Sequence, residues 1–89
     1  MTWTKDKKLR GCIGTFESQD LNTNLPKFTI VSALKDYRFS PISSEEIPLL
    51  KCGVSLLINF EKVNDPLNWE VGIHGIIIEF TYSGIKYLT

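Results

Sequence analysis

Two stretches of this chain carry apolar side chains at every second position, and they constrain the fold most. In the first, Val54, Leu56, Ile58 and Phe60 face one way while Ser55, Leu57 and Asn59 face the other. In the second, Ile76, Ile78, Phe80 and Tyr82 share a face. A period of two predicts extended strands. Asn64-Asp65-Pro66 marks a turn before Trp69 to Ile73, an extended or structured loop. Ser83-Gly84 marks another turn, after which Ile85 to Leu88 reads as a return strand. Strands joined by such short turns pair antiparallel.

The N-terminal part predicts a hairpin. Thr2-Trp3-Thr4 is strand-like, Lys5 to Lys8 is a polar turn, and Leu9 to Phe16 runs back. On that return strand Arg10, Cys12, Gly14 and Phe16 share one face, and Leu9, Gly11, Ile13 and Thr15 the other. Glycines inside a strand mark a bulge or the close approach of another group. A helix is expected over 26–37, with Pro26 in its first turn and Pro41 barring extension. Its apolar stripe is Ile30, Val31, Leu34 and Tyr37, with Thr29, Ser32, Lys35 and Asp36 opposite. Ser43 and Glu46 have capping-box spacing, and Pro48 limits the segment after them to about one turn. The order β-β-α-β-β-β is that of an α+β domain. We expect a mainly antiparallel sheet of about five strands with one main helix on one face.

Composition narrows the function classes. Lys plus Arg is 10 and Asp plus Glu is 10, so the chain lacks the basic excess of a nucleic-acid clamp. Nucleic acid is therefore not an expected partner. The apolar run Ile76-Ile77-Ile78 stops at Glu79, so no membrane span is expected. Met1 to Lys5 lacks the apolar run of an export signal. The two cysteines, Cys12 and Cys52, are expected as reduced thiols in the cytoplasm or nucleus. Cys12, Cys52 and His74 lack the paired spacing of a zinc site, and no helix directly follows Gly11 and Gly14, as a dinucleotide fingerprint requires. No cofactor or metal is expected. A chain of 89 residues makes one small domain that buries about 64% of its surface, a marginal fraction.

The chemistry centres on Leu9 to Phe16. Strand geometry puts the Cα atoms of Arg10 and Cys12 about 6–7 Å apart on one side. A guanidinium there favours the reactive thiolate, which makes Cys12 a candidate nucleophile. The alternative is a small buried hydrophobe. His74, the one histidine, is a candidate acid or base, or a structural or surface residue between two turn glycines. If 70–74 is extended, Glu70 and His74 lie about 13 Å apart. A helical turn would join them, but Gly72 weakens that reading, so no dyad is expected. Asp36, at a helix C-terminus, opposes the macrodipole and needs a partner. Arg38 is nearest, either as a local ion pair or facing one cleft with Arg10 and Cys12. Trp3 and Trp69 are expected as core residues.

Four segments together resemble one family. They are Leu-Arg-Gly-Cys-Ile-Gly-Thr-Phe at 9–16; Ser32 to Phe39 with Pro41 following; Val54 to Glu61; and Asn68 to Ile76. This is similar to the AMMECR family, named after the Alport-syndrome, midface-hypoplasia and elliptocytosis chromosomal region. The resemblance implies an intracellular α+β domain about twice this length, with no established reaction. Residues 1–89 would then be a single partial domain. It carries over Arg10, Gly11, Cys12 and Gly14, then Asp36 and Arg38, then Glu70 and His74. The expected function is a binding or regulatory module with an unidentified protein or small-molecule partner. A cysteine-dependent enzyme with Cys12 as nucleophile is the alternative. A component of an RNA-linked pathway, suggested by the family's genomic company in prokaryotes, is a weaker one. Part of a domain should also be less stable than its composition suggests.

Overall fold

The computed structural model describes residues 1–89. They form two compact units, Met1–Ile58 and Asn59–Thr89. The architecture is α+β, with antiparallel sheets of three and two strands and one main helix.

In the first unit, β1 (Thr2–Lys5) pairs with β2 (Lys8–Cys12) and, on its other side, with β3 (Leu50–Gly53). The β1–β2 turn is Asp6-Lys7, with φ of 50° and 62°. Two successive positive φ values define the type I′ turn, whose twist matches that of a hairpin. The register shifts between Trp3 and Thr4: Trp3 faces Gly11 but Thr4 faces Leu9, so Arg10 is the extra residue of a bulge. The bulge that the paired glycines predict is therefore present.

Helix α1 spans Leu21–Leu34, starting five residues before the expected position. Asp20 is the reason. Its side chain accepts the Thr23 N–H at 3.0 Å and the Thr23 hydroxyl at 2.9 Å, capping the first turn. Pro26 thus lies inside the helix, where it forgoes one backbone bond, to Asn22. The helix ends at Leu34, and the Ile42 N–H returns to the Ala33 carbonyl at 3.0 Å.

The buried face of α1 differs from the predicted stripe. Tyr37 lies beyond the helix and is 93% exposed, and Ile30 and Leu34 are also exposed. Ser32, expected on the solvent side, is 1% exposed. The cause is Gly11. A Cβ there would collide with the Ser32 carbonyl oxygen, so the helix meets the sheet at the strand's bare backbone. The Ser32 hydroxyl donates to Phe28 O and accepts from Trp3 Nε1 at 3.0 Å, so it is buried with its polar needs met.

The expected strand Val54–Phe60 is absent; the strand found is β3, just before it. Strand β3 pairs with β1 from Leu50 opposite Lys5 to Gly53 opposite Thr2, and the residues after Gly53 join no ladder of the first unit. Ser44–Leu49, ahead of β3, forms a 3-10 helix.

In the second unit, β4 (Glu79–Tyr82) pairs with β5 (Ile85–Leu88) around Ser83-Gly84, again with two positive φ values, 50° and 77°. The strand expected from Ile76 starts later, at Glu79, with one further backbone pair joining Ile78 and Thr89. Phe80 and Tyr87 stack at 5.1 Å, while Glu79 and Lys86 pair on the other face at 2.9 Å. No apolar side chain in the chain is buried, and Trp69 is exposed rather than in a core.

Candidate functional site

Strand β2 is an edge of its sheet, and its end at Cys12 is where the candidate residues meet. Met1 and Ile13 exchange backbone bonds at 3.2 Å, so Cys12, one residue along, turns its own N–H and C=O away from β1. Unpaired edge groups of this kind need partners. Asp36 and Arg38 supply them. Asp36 Oδ2 accepts the Cys12 N–H at 2.9 Å, and Arg38 Nη2 donates to the Cys12 carbonyl at 3.0 Å. The two side chains also pair with each other, at 2.8 Å from Nη2 to Oδ2 and 2.9 Å from Nε to Oδ1. A carboxylate and a guanidinium thus stand where a neighbouring strand would be.

Asp36 is 4% exposed and each of its oxygens accepts two hydrogen bonds. The Arg38 side chain, with the Cys12 and Arg38 amides, holds its carboxyl well below the usual carboxylate range. Asp36 in turn raises Arg38. The local ion pair expected between these two residues is present. The pair also bonds the backbone of the strand that carries Cys12, while the Arg10 guanidinium does not join it.

Arg10 does not do what its spacing suggests. Displaced by the bulge, its guanidinium is bidentate on Glu46, at 2.9 Å from Nε and 3.0 Å from Nη2. It also donates to Ser40 O at 2.7 Å. Glu46 further accepts Lys5 Nζ at 3.0 Å and the Ser43 N–H at 2.9 Å. Arg10 leads the causes that hold Glu46 well below the carboxylate range, followed by the Ser43 amide and Lys5. The Cys12 thiol instead shares a hydrogen bond of 3.1 Å with the Thr2 hydroxyl. Sequence reasoning misses Glu46 and Lys5 as partners; the one signal is Glu46 in the capping-box spacing.

Gly11 and Gly14 part company. Gly11 is buried under α1, whereas a Cβ on Gly14 would meet nothing within 4 Å. Glu70 and His74 belong to the second unit. They are neighbours after all, but through the backbone: the Glu70 N–H donates to His74 Nδ1 at 2.9 Å. The His74 N–H returns to Glu70 O at 3.0 Å. Gly72, with φ of 88°, closes this turn in the left-handed region that favours glycine. The reading of Gly72 as opposing the turn is thereby corrected. No cluster of His, Cys, Asp and Glu could hold a metal ion, and no helix is long and apolar enough to cross a membrane.

Comparison with known proteins gives a consistent picture. An uncharacterised protein of Schizosaccharomyces pombe is 56% identical over 82 residues, covering 92% of this chain and 42% of its own length. One from Arabidopsis thaliana is 49% identical over 86 residues, covering 91% and 40%. A protein of Methanosarcina acetivorans is 34% identical over 88 residues, covering 92% and 44%. The chain spans about two-fifths of the length of these relatives. No solved structure matches it. The AMMECR1 family model matches residues 1–88, so the chain belongs to the AMMECR1 family.

Proposed function

We propose that this chain is part of an intracellular binding or regulatory module, working in the cytoplasm or nucleus with a protein or small-molecule partner. One observation carries the reading. Every charged side chain of the Arg10–Cys12–Asp36–Arg38 group is engaged inside the unit, and none is hydrogen-bonded to the thiol. A nucleophile needs an activating neighbour. Here the arginines bind carboxylates and carbonyls instead. The motif serves as a clasp, tying β2 to the segment after α1 and to the 3-10 helix. Such a clasp presents a surface of fixed shape.

The test is affinity capture from cell extract with the full chain, against a scrambled-sequence control. A captured partner should survive Cys12→Ser, which keeps a hydroxyl beside Thr2, and be lost with Asp36→Ala, which breaks the clasp. No enrichment over the control refutes the reading. So does loss on Cys12→Ser with an unchanged circular dichroism spectrum, an outcome that favours Cys12 as nucleophile.

A further inference from the structure

The turn Glu70–His74 is closed from both sides. The Glu70 carbonyl accepts the amides of Ile73 and His74 at 3.2 and 3.0 Å, and His74 Nδ1 accepts the Glu70 amide at 2.9 Å. An imidazole nitrogen that accepts carries no proton, so this bond requires a bare Nδ1, with the ring's proton on Nε2. Proton uptake at Nδ1 would set two N–H groups against each other at this distance and remove the bond.

The surroundings give the charged ring somewhere to go. His74 lines an open recess of about 490 Å³ with Glu61, Lys62 and Asp65 among its walls. Asp65 already accepts the Leu67 N–H through Oδ1 at 2.9 Å, which steadies that carboxylate. The charged side chains lining the recess with the ring are these three, two carboxylates against one ammonium, and Glu70 follows on the turn itself.

We propose that proton uptake by His74 opens the Glu70–His74 turn and draws the ring toward the carboxylates of Glu61 and Asp65, making this recess a pH-sensitive element. The proton comes from solvent and resides on Nδ1; no other bond is formed or broken covalently. The device is independent of the Cys12 clasp and of any partner.

Nitrogen-15 NMR of the full chain tests it. At high pH the ring nitrogens should report the Nε2–H tautomer. On acidification the His74 ring and the Glu70 amide should titrate with one midpoint, the amide proton moving upfield. Relative to the intrinsic rate at each pH, solvent exchange of that amide should become about tenfold less protected, the factor for losing one ordinary hydrogen bond. Glu70→Gln should keep this step, showing that the residue's own carboxylate does not cause it, and His74→Gln should abolish it. An Nδ1–H tautomer in the unaltered chain overturns the proposal. So does a Glu70 amide that stays fixed while His74 titrates, or a step lost in Glu70→Gln.

Discussion

Replacing Gly11 by alanine tests how the sheet and helix fit together. The added methyl group would overlap the carbonyl oxygen of Ser32, and its next contacts are the Ser32 carbonyl carbon and the Trp3 ring. Two of these three are backbone atoms of α1, so no side chain can swing aside; β2 and the helix must move apart. Overpacking of this kind costs about 1–3 kcal/mol. In a chain of this size each kcal/mol lowers the melting midpoint by about 4–8 °C. Gly14→Ala is the internal control. It meets no atom within 4 Å and has no positive φ, so its main effect is on the unfolded chain, a gain of about 0.4–1 kcal/mol. Urea titration followed by Trp3 fluorescence, in a Trp69→Phe background, reads both variants. The two glycines should move the midpoint in opposite directions. Equal shifts, or a Gly11→Ala change below about 0.5 kcal/mol, the range of ordinary surface substitutions, would refute the close approach.

Acid should loosen the first unit. Asp36 and Glu46 are both held below the usual carboxylate range, so their contribution is fully present above the unfolded values of about 3.9 and 4.3. It is lost as pH falls below those values. Urea midpoints should be flat from pH 7 to about 5 and fall beneath that, with a shallower fall in Asp36→Asn; an identical profile for the variant contradicts the clasp. Asp20→Ala should cost about 0.5–2 kcal/mol and reduce ellipticity at 222 nm, because it removes the cap that starts α1 early. No loss of helicity would return the helix start to Pro26.

Turns and the hairpins they close are legible in the chain; sheet order and buried faces are not. Ser83-Gly84 and the polar residues after Thr4 announce both hairpins through local chemistry alone. Gly11 announces a bulge or a close approach and delivers both, but the atom that approaches belongs to Ser32, far along the chain. Helical periodicity has no access to that contact, and so puts Ser32 on the wrong side of its helix. Val54 to Phe60 has strand composition but joins no ladder of this chain, since an alternating pattern does not by itself supply a pairing partner. Glu46 escapes as the partner of Arg10 because a bulge resets the alternation that places Arg10 beside Cys12. Asp36 and Arg38 are legible as a pair, being two residues apart. Their role at the Cys12 backbone depends on β2 being an edge strand, which only the sheet order reveals.

The central claim is that the Arg10–Cys12 segment is a clasp and not an activated thiol. Alkylation of the full chain with iodoacetamide, read by mass spectrometry at Cys12 and at the exposed Cys52 across a pH range of about 6–9 around the ordinary thiol value, tests it most directly. The account predicts that Cys12 reacts no faster than Cys52 at any pH, and that Asp36→Asn speeds its reaction by loosening the strand. A Cys12 that outpaces Cys52 at neutral pH, and slows in Arg10→Ala, would contradict it.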